Sequence, residues 1–187
     1  MRRPLSIYVN KMRFFKILMC LCLSACVSAN VKSFDVPDLS NVKGKSGYEK
    51  ARTLVKTGEV SCVLLKEDEI IAVNRGAGIL PLLALYDAEP QKMEKALLVD
   101  KVIGRATAMI ALNGKVGAVH AGVMSEDALE LLEEKGVSAT YDKLVPKILN
   151  RQGNGLCPME KAVQKITVPQ EAVSLLREEL QKMKGKK

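Results

Sequence analysis

The sequence predicts an α/β fold, a three-layer α/β/α sandwich around a mixed sheet that starts as an antiparallel hairpin and continues in parallel strands. Three observations predict it. "VSCVLLKEDEIIAVN" (residues 60–74) holds two apolar runs on either side of Glu67-Asp68, the pattern of a hairpin. "LLVDKVIGRATAMIALNG" (97–114) is almost wholly apolar and belongs in the interior. From "KVGAVHAGVMS" through "SEDALELLEEKG" to "VSATYDKLV" the pattern runs strand, helix, strand, which requires a crossover and parallel pairing.

Residues 1–29 read as a secretory leader. In "KMRFFKILMCLCLSACVSAN", basic residues lead into an apolar run from Ile17 to Ala25. That run is too short for a comfortable helix across a hydrocarbon core of about 30 Å, and small residues follow it. Met12 would serve equally well as the start. Two processing routes fit: cleavage after Ala29, or lipidation of Cys26, since Leu23-Ser24-Ala25-Cys26 resembles a bacterial lipobox. Cys20 and Cys22 show that the run also accepts cysteine without a role. Either route exports the protein, to the periplasm or to a lipid anchor on the cell envelope. Acyl chains would supply the membrane affinity, so the domain needs no membrane-binding face. Residues 30–46, "NVKSFDVPDLSNVKGKS", lack periodicity and read as a tether.

The leader also explains the charge. The chain carries a formal +8, from 29 basic and 21 acidic side chains. Arg2, Arg3, Lys11, Arg13 and Lys16 precede every acidic residue; without those five, 24 basic side chains face 21 acidic ones. With only 4% aromatic residues and no Trp, there is little on which bases would stack, and nucleic acid is excluded as a partner. Three of the five cysteines fall in the leader, leaving Cys62 in a buried-strand pattern and Cys157 near the end, which is no disulfide framework.

The domain proper is expected over residues 47–165. "GYEKARTLVKTG" reads as a helix ended by Gly58, and "GILPLLALYDAEP" as a short helix stopped at Pro90. Residues 97–114 read as one long buried helix closed at Asn113-Gly114. Ser125 suits the N-cap of the next helix, with acids in its first turn and Gly136 after its last. Residues 166–187 form a terminal amphipathic helix, expected to pack on the core or on a second subunit.

"NRGAGILPLLALYD", "VDKVIGRATAMIAL" and "KILNRQGNGLCPMEKAV" are together similar to the domain of unknown function 1893 family over about Val60 to Val163, and the order of elements resembles the cytidine-deaminase-like fold. A zinc deaminase needs a His or Cys with a nearby Glu at the start of the buried helix, and P-C-x-x-C at the start of the next. Here those places read Val99-Asp100-Lys101-Val102 and Val123-Met124-Ser125-Glu126-Asp127. His120, the single histidine, lies within a strand and reads as a hydrogen-bonded core imidazole. The expectation is therefore no metal, no cofactor and no zinc-dependent deamination.

The resemblance locates a pocket at the N-termini of those helices, toward which Asp100 and Lys101 would point. Asp100 suits a helix cap, and desolvation would fit Lys101 for base or nucleophile duty. Arg75, beside Gly76 in "NRGAG", would clamp a carboxylate or phosphate, or else pair with Asp100. In "NRQGNGLCPMEKAV", Gly153 and Gly155 permit positive φ and Pro158 suits a first helical turn. With Arg151 this makes either an anion-binding loop or a structural one. Cys157 at the helix start would have some thiolate character, but no second histidine pairs with it. Three classes follow: a non-catalytic small-ligand-binding or sensory domain, which is favoured; a metal-independent enzyme using Asp100, Lys101 and Cys157; and a protein-interaction or homo-oligomeric module using the last helix.

Overall fold

The computed structural model describes residues 46–184. The leader, Cys26 and the tether up to residue 45 lie outside them. Five strands form a mixed sheet in the order β2-β1-β3-β4-β5. β1 (Cys62–Lys66) and β2 (Glu69–Asn74) make the predicted hairpin. Glu67 and Asp68 both take left-handed φ values, 50° and 65°, as a tight two-residue turn demands. β3 (Leu97–Ile103) pairs antiparallel with β1, and β4 (Ala118–Ser125) and β5 (Ser138–Val145) follow in parallel.

Helices cover both faces, giving the predicted three layers. On one face α1 (Gly47–Thr57) packs Ala51, Leu54 and Val55 on Val63, Leu65, Val73 and Val99. Ser46 and Glu49 cap it reciprocally, and Gly58 ends it at φ 80°. Its start is also clamped to the hairpin turn. The Asp68 carboxylate accepts from the N–H groups of Gly47 (2.9 Å) and Tyr48 (2.8 Å), which holds that carboxyl below the usual carboxylate range. Position 47 must be glycine, because a Cβ there would lie 1.6 Å from the Asp68 carbonyl oxygen.

The opposite face carries α2 (Leu80–Ala88), α3 (Pro90–Met93), α4 (Arg105–Asn113), α5 (Glu126–Glu134), α6 (Pro158–Val163) and α7 (Pro169–Lys184). Ser125 caps α5 as expected, accepting from the Ala128 N–H at 3.2 Å. The terminal helix joins this core: Ala172, Val173 and Leu176 are fully buried, and Arg177 pairs with Asp87 of α2.

One predicted element is corrected. Residues 97–114 are not one helix; they are β3, a break at Gly104, and α4. A central parallel strand buried on both faces reads as a continuous apolar run, which periodicity cannot tell from a buried helix. Only the second half is the enclosed helix, with Ala106 to Ala111 all buried.

The three parallel strands also share a kink. Leu98, Val119 and Ala139 face the α4 layer, and so do Ile103, Met124 and Leu144, each five residues further on. Side chains alternate with period two, so an odd step means that each strand breaks alternation once between these positions. At that level the pairings of Lys101 with Gly122 and of Gly122 with Asp142 drop out of the ladder. Asp100 repairs the break. Its Oδ1 accepts the Val102 N–H at 3.0 Å. Asp100 therefore does not cap α4, as the sequence suggested, and it makes no pair with Arg75, whose Nε donates to the Glu59 carbonyl at 2.9 Å.

Burial pushes the Asp100 carboxyl up to about 7, against the pull of the Val102 and Lys101 N–H groups. Opposite it in the ladder, the Cys62 thiol is driven up by burial and then by Asp100. A carboxyl raised in the folded state holds its proton more tightly there than in the unfolded chain. Stability is thus greatest below its ordinary value of 3.8 and falls as pH rises toward about 7, by up to ~4 kcal/mol. Asp100→Asn keeps an acceptor for Val102 without the charge. Its melting temperature should exceed wild type by several degrees at pH 8 and match it at pH 4; a pH-independent difference counts against a buried ionisation.

Candidate functional site

The carboxyl ends of β3, β4 and β5 meet the N-termini of α4 and α5, where an α/β sheet ordinarily opens its crevice. Here the chain itself occupies that position. Glu160 of α6 reaches back so that Oε2 accepts the Arg105 N–H at 2.7 Å and Oε1 the Ala106 N–H at 3.0 Å. Gly104 makes this approach possible, because a Cβ there would lie 2.5 Å from Oε1. Burial raises the Glu160 carboxyl, opposed by its two N–H donors. Arg105 runs the other way. Nε donates to the Val163 carbonyl (3.1 Å), Nη2 to that of Ile166 (2.7 Å), and Nη1 meets Asp127 of α5 at 2.7 Å. Each of the two helices thus caps an end of the other. Beside this network a cleft of about 240 Å³ remains, lined by Ser125, Lys147, Ile148, Leu156, Glu160 and Gln164.

The glycine-bearing loop lies next to it and is stitched by its own backbone. Asn150 N–H donates to the Gly155 carbonyl (2.8 Å), Cys157 N–H to that of Ile148 (3.0 Å), and Asn150 Oδ1 accepts from the N–H groups of Gln152 and Asn154. Gly153 uses its freedom at φ 71°; Gly155 does not adopt positive φ. Arg151 is exposed. Cys157 stands at the N-cap of α6 without a side-chain capping bond, its half-buried thiol packed against the core. Arg75 and Gly76 lie in the loop after β2, where the Gly76 carbonyl accepts from the Ser61 hydroxyl at 2.6 Å.

Lys101 is elsewhere. Two residues on from Val99 in β3, it lies on the α1 face, exposed to solvent, so the expected desolvation does not occur and it does not share a pocket with Asp100. There it joins a second cleft of about 220 Å³ formed by α1 and the kinked strands. α1 supplies Arg52, Val55 and Lys56; β4 supplies His120 and β5 Asp142, over a floor that includes Val99 of β3. Arg52 Nη2 meets Asp142 Oδ1 at 2.5 Å, and its guanidinium lies 5.7 Å above the Tyr48 ring. The His120 ring stands edge-on to Tyr48. Its Nδ1 lies 3.1 Å from the Tyr48 hydroxyl and 2.9 Å from Thr140 Oγ1, and Nε2 is 3.7 Å from Asp142. Burial, then the Arg52 charge, lowers the affinity of this imidazole for a proton, and Asp142 offsets part of that. His120 is thus the hydrogen-bonded core imidazole the sequence suggested, with one edge toward a cleft. Arg52, Lys56, Asp142, Arg105 and the role of Glu160 were not foreseen. Arg52 and Asp142 are 90 positions apart, and no local pattern joins them.

Among the described residues, no three His, Cys, Asp or Glu side chains converge as a metal site would require. A family model, described as a domain of unknown function (DUF1893), matches residues 50–180. The chain belongs to the DUF1893 family. The crystal structure of a DUF1893 protein from Thermotoga maritima is similar, with a TM-score of 0.63 and 27% identity over 70% of this chain and 88% of that one. No curated protein matches. The matched span exceeds the Val60 to Val163 carried by the sequence phrases. It takes in most of α1 and α7, so the Arg52–Asp142 cleft and the Arg105–Glu160 exchange both lie within the DUF1893 domain.

Removing Glu160 leaves two N–H groups of a buried helix without an acceptor. Glu160→Ala should cost about 3 kcal/mol. In urea unfolding this appears as a lower midpoint with an unchanged slope. The double variant with Arg105→Ala should lose less than the two single losses combined; strict additivity would mean the two caps act independently.

Proposed function

We propose that this DUF1893 protein is a non-catalytic small-ligand-binding or sensory domain, exported and held to the cell envelope through lipid on Cys26, and that it takes its ligand beneath α1. One observation carries the reading: cationic side chains from two elements and an imidazole edge converge on an apolar-floored cleft, while the crevice at the strand ends is partly filled by Glu160, Arg105 and Asp127. The strand order β2-β1-β3-β4-β5 supports a deaminase-like scaffold. On such a scaffold the metal-bearing helix starts would be Gly104-Arg105-Ala106 and Ser125-Glu126-Asp127, which hold no zinc-binding set.

The enzymatic alternative needs Asp100, Lys101 and Cys157 to act together. Asp100 is buried in mid-sheet, Lys101 faces α1, and Cys157 begins α6 on the other face, which favours binding over catalysis. The apolar stripe of α7 covers the chain's own core, which weakens the case for it as a subunit interface. Export rests on the leader sequence.

A small-molecule library screened by thermal unfolding tests the site. Hits should stabilise wild type and Lys147→Ala but not Lys101→Ala. The opposite pattern would move the site to the crevice beside Glu160. For localisation, Cys26→Ser should release the protein from the membrane fraction; a variant that stays there would remove the anchor.

A further inference from the structure

We infer that the cleft beneath α1 is built for a small phosphate monoester, held as a dianion between Lys56 and Lys101. This rests on the cleft being the ligand site, and it adds the ligand's chemistry. The balance of charge around the cavity carries it. Arg52 already has a carboxylate: it is bound to Asp142 and set over the Tyr48 ring. Lys56 and Lys101 have none. Among the described residues neither forms an ion pair, though both line the same cavity, one from the helix above and one from the strand below. Asp142 is the single acidic group on the wall, and Arg52 engages it.

Two lysines without acidic partners on one small cavity are matched by two negative charges on a compact group. A phosphate monoester carries about −1.5 to −2 near neutral pH on one tetrahedral head. A single carboxylate or a phosphodiester brings one charge and leaves one lysine unmatched, and a dicarboxylate spreads its two charges over separate carbons. Lysine suits the role as a compact point charge that does not need the planar geometry of a guanidinium. The remaining wall fits the organic part of such an ester. Val55, Val99 and Val123 are apolar, and Gly122 adds no side chain to the cavity it lines. At about 220 Å³ the space suits a phosphate with a small body. The neutral edge of His120 offers one further hydrogen-bonding nitrogen beside Asp142.

The chain has a single histidine, so its ring resonances report on this cleft alone. The full chain at pH 7.5 is titrated with methyl phosphate, dimethyl phosphate and succinate while the His120 ring signals are followed by NMR. Methyl phosphate should shift them to saturation, with dimethyl phosphate and succinate at least about tenfold weaker. Lys56→Ala with Lys101→Ala, both exposed positions that leave the fold intact, should weaken methyl phosphate by about tenfold or more. Lys161→Ala with Lys165→Ala should leave it unchanged. The inference is overturned if succinate or dimethyl phosphate binds as tightly as methyl phosphate. Undiminished affinity in the Lys56 and Lys101 double variant, or ring signals unmoved by millimolar methyl phosphate, would also overturn it. A library hit without a phosphate whose effect depends on Lys101 would leave the ligand site standing and this chemistry fallen; hits indifferent to Lys101 would remove the site itself.

Discussion

The buried start of α4 is the constraint around which this molecule is arranged. From Ala106 to Ala111 the helix is enclosed on every side, so its first N–H groups have no water to bond. A cap from its own sequence is missing, since the N-cap is Gly104 and makes no side-chain bond. The acceptor has to come from elsewhere, and Glu160 supplies it from 55 residues away. Several features follow from this single need. Position 104 stays glycine, α6 is drawn across the ends of the strands, and the segment from Pro146 to Cys157 is fixed as a self-bonded loop leading into α6. Arg105 closes the circuit by answering the carbonyls at the end of α6. The place where an α/β sheet would ordinarily admit a ligand is therefore partly filled by the chain's own charges.

A second constraint acts on the sheet. The shared kink in β3, β4 and β5 removes one pairing from each ladder, and a backbone N–H freed in the interior needs an acceptor. Asp100 provides it within its own strand. The kink also decides which face each neighbouring residue serves, since one residue out of alternation reverses every position beyond it. Lys101 stands two residues from Val99 and shares the α1 face with it by plain alternation, beside Gly122 and Asp142. Asp100 and Lys101, consecutive in one strand, therefore serve opposite faces, though in the sequence the two look like a pair aimed at one pocket.

Much of the fold was legible because local chemistry and global position agree in it. Glu67-Asp68 marks a tight turn, Gly58 a left-handed helix end, and Ser125 an N-cap; each is a short-range signal, and each holds. Residues 97–113 misled because burial on both faces erases the alternation that would distinguish a strand, leaving Gly104 as the only punctuation. The sites were less legible. His120 could be read as a bonded core residue from its strand context, but its partners Tyr48 and Thr140 lie 72 and 20 positions away. Glu160 looked like a first-turn acid of its own helix and instead caps another. The Arg52–Asp142 pair exists only once α1 has been laid across the sheet, and no spacing in the chain announces it.

The position of α1 explains how a cleft arises on that face. On the α4 side, helices from α2 to α7 spread over the sheet and leave the cleft beside Glu160 at the strand ends. On the α1 side a single eleven-residue helix, clamped at its start by Asp68 of the hairpin turn, packs its apolar residues on β1, β2 and β3. β4 and β5 extend past it, and β5 is a sheet edge that carries exposed Asp142 and Lys143, charges that discourage pairing with another strand. A cationic helix flank over a half-covered sheet leaves a recess whose walls are charged and whose floor is apolar. Gly122 adds no side chain to it, since a Cβ there would lie 3.0 Å from the Lys101 carbonyl oxygen, and two lysines without acidic partners line it. That combination of two unpaired cations and an apolar floor is what the ligand site proposed above rests on.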